Sequence, residues 1–135
     1  MSYPIGDIGG IDDDTAETLK TAGIRSTQRL LERASTVKQR KLLSEQTGIE
    51  AKKLLAWANF ADRMRIKGVS REYAELLSAV GVETVKEFRY RNAVNLAKAM
   101  ADANKKRKVV RLVPSERVVA RWIESAKGLP LKIKY

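Results

Sequence analysis

The stretch IKGVSREYAELLSAVGVETV, residues 66–85, repeats an earlier one, IGGIDDDTAETLKTAGIRST at residues 8–27, at an offset of 58 positions. On that offset Gly10 meets Gly68, Ala16 meets Ala74, Glu17 meets Glu75, Leu19 meets Leu77 and Gly23 meets Gly81. The apolar partners agree too, Ile11 with Val69 and Ile24 with Val82. The copies part just after the first glycine, where one reads Ile-Asp-Asp-Asp and the other Val-Ser-Arg-Glu. A pattern suited to packing is kept while the charge at its turn changes.

Outward from this pair the repeat continues. From residue 49, Leu54, Trp57, Phe60, Ala61 and Met64 fall on one helical face, and Val119, Trp122, Ile123 and Ala126 fall at matching steps near the end. Trp57 and Trp122 stand 65 apart, the period of 58 plus an insertion of seven. An aromatic residue inside an apolar helical stripe belongs to a core, so both tryptophans are expected to be buried.

The local signals predict helices over 13–22, 27–34, 36–46, 50–66, 71–80, 85–91, 93–107 and 115–127. Gly23 and Gly81 sit where a helix end needs a left-handed residue. Thr47 with Glu50, and Thr84 with Glu87, have capping-box spacing, and Pro114-Ser115 opens the last helix. Strand-like alternation is confined to 109–113 and the tail 131–135. The expected fold is all-α: two fused helix-hairpin-helix units, about 1–65 and 66–135, forming a tandem repeat in one compact helical domain over 1–135.

Composition bounds the chemistry. A chain of 135 residues, 44% apolar, most often builds one domain with a core. It has no cysteine, so no disulfide framework and no thiolate metal site, and no histidine, which removes the usual general base near neutral pH. The N-terminal residues lack a basic region followed by an apolar run, and no stretch approaches the roughly 20 apolar residues of a membrane span. A soluble cytoplasmic protein with no membrane contact is expected.

The net charge of +11 is unevenly spread. Residues 1–67 hold 12 Lys+Arg against 9 Asp+Glu, or +3, and residues 68–135 hold 15 against 7, or +8. The first 24 residues carry five acids against Lys20 alone. A strongly basic half with an acidic tip suits a polyanion partner.

The turn of the second copy has the chemistry for such a partner. The first turn of a helix leaves backbone N–H groups without intrahelical acceptors, and the macrodipole adds about half a positive charge there. Lys67, Gly68, Ser70 and Arg71 surround those donors, with Arg63 and Arg65 upstream. Gly68 lets a phosphate approach, and Ser70 either caps the helix or donates to a phosphate oxygen. In the first copy Asp12, Asp13 and Asp14 take the cap and first turn, satisfy the dipole and repel phosphate. Consecutive helical residues point about 100° apart, so these three do not converge on a metal ion.

A second basic cluster, Lys105, Lys106, Arg107, Lys108 and Arg111, crowds seven positions without an acid. It is expected to share a face with Lys67 and Arg71. Catalysis has no motif to stand on, because neither a Ser–Lys pair nor a carboxylate dyad is recognisable. No catalytic residue, cofactor or metal is expected.

The runs ADRMRIKGVSREYAELLSAVGVETVKEF (61–88), TLKTAGIRSTQRLL (18–31) and SERVVARWIESAKGLP (115–130) together resemble an uncharacterised bacterial domain-of-unknown-function family built from tandem helix-hairpin-helix repeats. The likeness covers nearly the whole chain. Members have no assigned activity, so the resemblance implies a fold. The wider helix-hairpin-helix group includes DNA ligases, repair nucleases, glycosylases and polymerase domains, whose hairpins grip the DNA backbone without sequence preference. That group's turn usually reads glycine–apolar–glycine, whereas the third position here is Asp12 or Ser70. The expected function is non-enzymatic, sequence-independent binding of nucleic acid, DNA before RNA. The alternative is a protein-interaction adaptor that docks a partner on the acidic first turn.

Overall fold

The computed structural model describes residues 2–135. The described residues form eight α-helices and one 3-10 turn, with no strand beyond an isolated bridge between Pro4 and Ser26. The all-α expectation holds. The alternation at 109–113 and 131–135 does not produce strands. No helix among the described residues is long and apolar enough to cross a membrane. The chain divides into two compact units, residues 1–65 with 132–135, and residues 66–131.

The first unit contains the 3-10 turn Ile5–Asp7 and helices α1 (Asp13–Thr21), α2 (Thr27–Arg33), α3 (Val37–Thr47) and α4 (Ala51–Arg63). Ile5, Leu19, Ile24, Leu30 and Leu54 are fully buried in its core. The C-terminal tail closes this unit by polar bonds. Lys134 N–H donates to Ser35 O at 2.7 Å, and buried Arg40 donates to the carbonyls of Ala34 and Lys134 at 2.9 and 2.7 Å. The Tyr135 hydroxyl donates to Asn59 at 2.7 Å.

The second unit contains α5 (Arg71–Ala79), α6 (Val85–Arg89), α7 (Ala93–Lys106) and α8 (Glu116–Gly128) around Leu76, Leu77, Val82, Phe88, Leu96, Met100 and Val119. Arg89, half-buried, donates to the carbonyls of Ala126 and Leu129 at the end of α8. Cations at a helix C-terminus also complement its dipole.

The same backbone bonds occur in both units, 58 residues apart. Ile11 N–H donates to Ile8 O and Val69 N–H to Ile66 O; Ile24 N–H donates to Leu19 O and Val82 N–H to Leu77 O. Gly10 and Gly68 both have φ of 92°, and Gly23 and Gly81 have 88° and 85°. These four glycines hold left-handed backbone that other residues adopt at a cost of about 1–2 kcal/mol.

Several local expectations need correction. Thr47 does not open a capping box with Glu50: it is the last residue of α3, its hydroxyl donates to Leu43 O, and Glu50 caps α4 without a side-chain bond. The capping box belongs to Thr36 and Gln39, where each side chain accepts from the other's backbone N–H. Helix α4 ends at Arg63, short of residue 66. Met64 and Ile66 are nevertheless buried, so the apolar stripe runs on after the backbone has left the helix. Trp122 is 4% exposed, but Trp57 is only half-buried. Tyr73 lies against Trp122 with ring centroids 5.1 Å apart, and the position 58 residues before Tyr73 is the much smaller Thr15.

Candidate nucleic-acid interface

The two glycine turns are built alike and finished differently. At the first turn, Trp57 Nε1 lies 3.4 Å from where a Cβ on Gly10 would stand; at the second, Trp122 Nε1 lies only 2.9 Å from that point on Gly68. Each glycine thus clears room for an indole from its own unit, besides supplying the positive φ. The packing reason for Gly68 stands whether or not a phosphate approaches it.

The caps separate the turns. Asp12 has N-cap backbone angles, and its carboxylate accepts from Thr15 N–H at 2.8 Å. The bonds from Thr15 hold its carboxyl below the usual value. Asp13 and Asp14 follow, both exposed. Ser70 has nearly the same N-cap angles, φ −82° and ψ 177°, yet its side chain makes no cap bond. The first-turn amides of α5 therefore lack the side-chain acceptor that α1 has.

Around that helix start, Lys67, Gly68 and Arg71 are exposed and Ser70 is half-buried. Arg71 reaches Glu75 along its own helix at 3.7 Å, an exposed pair worth little in water and easily exchanged for a phosphate. The upstream arginines are committed elsewhere. Arg63 is 1% exposed with its guanidinium 5.1 Å over the Phe60 ring, and Arg65 pairs with buried Asp62 at 2.8 Å. The burial of Asp62 pushes its carboxyl up, with the Arg65 charge opposing. The acid three residues before Arg65 was the available sign of that pairing.

Lys105, Lys106, Arg107, Lys108 and Arg111 are all exposed. Lys105 and Lys106 occupy the last turn of α7, and Arg107 is its C-cap in extended conformation. Buried Asn104 shapes the loop that follows: its Oδ1 accepts from Val109 and Val110 N–H at 2.8 and 3.0 Å, and its Nδ2 donates to Val110 O at 3.0 Å. One side chain therefore replaces three backbone partners and presents the basic loop outward.

Beside the second turn opens a cleft of about 700 Å³ in the second unit. Its walls include Lys67, Gly68, Tyr73, Leu112, Val118, Arg121 and Trp122. The Tyr73 hydroxyl donates to Leu112 O at 2.9 Å, tying the first turn of α5 to the segment after Arg111. The structure thus brings together Lys67, Gly68 and the residues just past the basic cluster. It does not put Lys105, Lys106, Arg107 or Lys108 on the cleft wall. Sequence reasoning missed Tyr73, Leu112 and Arg121: a tyrosine in a first turn and an arginine in a helix carry no signal of their own, and the alternation at 109–113 pointed Leu112 to a strand.

No curated protein and no solved structure matches the chain. Residues 9–129 match the family described as Domain of unknown function (DUF4332), a span that includes both glycine turns, the basic loop and the whole cleft. The chain belongs to that family.

Proposed function

We propose that this protein is a non-catalytic nucleic-acid-binding domain of two helix-hairpin-helix units, in which the second hairpin holds the sugar-phosphate backbone without reading bases. The observation that carries the reading is the open cap at Ser70 set against the filled cap at Asp12. A helix start with free amides, a hydroxyl beside them and exposed Lys67 and Arg71 offers several donors to one phosphate group. The second unit carries 14 Lys+Arg against 7 Asp+Glu, or +7, so long-range attraction supports the local donors. Lys105, Lys106, Arg107, Lys108 and Arg111 add a second point of attachment to the same polyanion. Phosphate contacts carry no base information, so affinity should be alike for unrelated sequences, with duplex DNA the first ligand to try.

The test is a titration of blunt duplexes of two unrelated sequences at several salt concentrations. Equal affinities are expected, with a log–log salt slope of about −0.9 for each phosphate neutralised. Negligible binding at low salt, with capture of a basic protein through Asp13 and Asp14 instead, would establish the adaptor reading.

A further inference from the structure

Accepting the hairpin reading above, we infer that the cleft beside the second turn is a pocket for an unpaired nucleobase, so that the protein favours single-stranded tails and frayed ends over blunt duplex. Its volume of about 700 Å³ lies within the range of pockets that enclose small organic ligands, roughly 300–1,000 Å³. The walls are mostly apolar or aromatic, and the charged residues on them are Lys67 and Arg121, with no carboxylate. Such a lining suits a flat apolar ring attached to an anion.

Two further features point to a base rather than an apolar peptide side chain. Tyr73 and Trp122 both line the cleft and meet at an interplanar angle of 56°; Trp122 is 4% exposed, so half-buried Tyr73 offers the ring for stacking, and aromatic faces accept any base. Gly68 belongs both to the hairpin turn and to the cleft wall, so a backbone held at the turn delivers its own base to the pocket. Leu112, also on the wall, is anchored through its carbonyl by Tyr73 while its side chain is 76% exposed. A duplex keeps its bases paired and stacked, and only an unpaired nucleotide can use the site.

The test uses the full chain carrying Trp57→Phe, which leaves Trp122 as its one tryptophan. A blunt duplex, the same duplex with a five-nucleotide tail, and inorganic phosphate are titrated, with anisotropy reporting binding and Trp122 fluorescence reporting entry of a base into the cleft. The tailed duplex should bind about tenfold tighter than the blunt one, the effect of one stacked base, and should quench Trp122. Phosphate should not quench. Val118→Phe, which fills the cleft, should erase the tail preference and leave blunt affinity unchanged; Leu112→Ser, at an exposed position, should reduce it without affecting folding. Equal affinity for both duplexes without quenching overturns the base pocket and leaves the hairpin reading standing. Quenching by a single-stranded pentanucleotide with no affinity for blunt duplex overturns the hairpin reading alone. Stronger quenching by an acidic tyrosine-containing peptide than by the pentanucleotide overturns the choice of a nucleobase.

Discussion

The turns at Gly10 and Gly68 share their backbone angle, their hydrogen bonds and an indole packed against the glycine, yet they present opposite surfaces. One ends in three aspartates with the first carboxylate already bonded to the helix start; the other ends in an unbonded serine between Lys67 and Arg71. The difference teaches that packing constrains the glycine and its tryptophan, while the two or three residues after the glycine are open to be set by what the surface must meet.

The largest effect should come from the glycines themselves. Gly68→Ala forces a Cβ into Trp122 and into left-handed backbone; about 1–2 kcal/mol of backbone strain and about 1–3 kcal/mol of overpacking combine, and denaturant unfolding should show a loss of about 3 kcal/mol. Gly10→Ala meets half-buried Trp57 at a looser 3.4 Å and should lose little beyond the backbone strain, about 1–2 kcal/mol. Equal losses would mean that the two indoles are held alike.

The caps should separate next. Asp12→Ala removes a bonded cap and should lower the melting temperature by a few degrees, whereas Ser70→Ala should leave it unchanged. Ser115, whose hydroxyl accepts from Val118 N–H at 3.2 Å, is the control: its alanine variant should cost about 1 kcal/mol. A loss at Ser70 as large as at Ser115 would show that its hydroxyl caps α5 in solution.

The smallest effect is a pH dependence confined to the first unit. The folded state raises the Asp62 carboxyl above its ordinary 3.8, so this group binds protons more readily in the folded than in the unfolded chain. Its contribution to stability is full below the ordinary value and is lost as pH rises through the raised one. Melting curves between about pH 3 and 7 should show the Asp62→Asn variant gaining on the parent as pH rises, because the amide does not titrate. A variant that loses ground to the parent as pH rises would mean that the Arg65 pair, not burial, governs the group.

Much of this was legible in the sequence because it rests on local chemistry. The glycines at 23 and 81, the serine at 115 and the spacing of 58 each name a backbone conformation or a repeat directly. What was hidden depends on how the chain packs, near in sequence as well as far. Periodicity carried α4 to residue 66 because Met64 and Ile66 are apolar, although the backbone leaves the helix at Arg63. Composition made Arg63 and Arg65 look available, although Phe60 and Asp62, each three residues earlier, engage them. The cleft could not be read at all, since Tyr73, Leu112 and Trp122 meet from three separate segments.

The proposed contrast between the two glycine turns is measured most directly as binding of blunt duplex DNA across a series of salt concentrations. The double variant Lys67→Ala/Arg71→Ala should bind more weakly to every sequence, with the log–log slope reduced by about 0.9 for each phosphate that is no longer neutralised. Asp13→Ser/Asp14→Asn, which keeps Asp12 as the cap, should bind as the parent does or more tightly, because on the proposed reading it removes repulsion from a turn that makes no phosphate contact. Equally weakened binding in the two variants, with both folded, would contradict the proposed division of labour between the two turns.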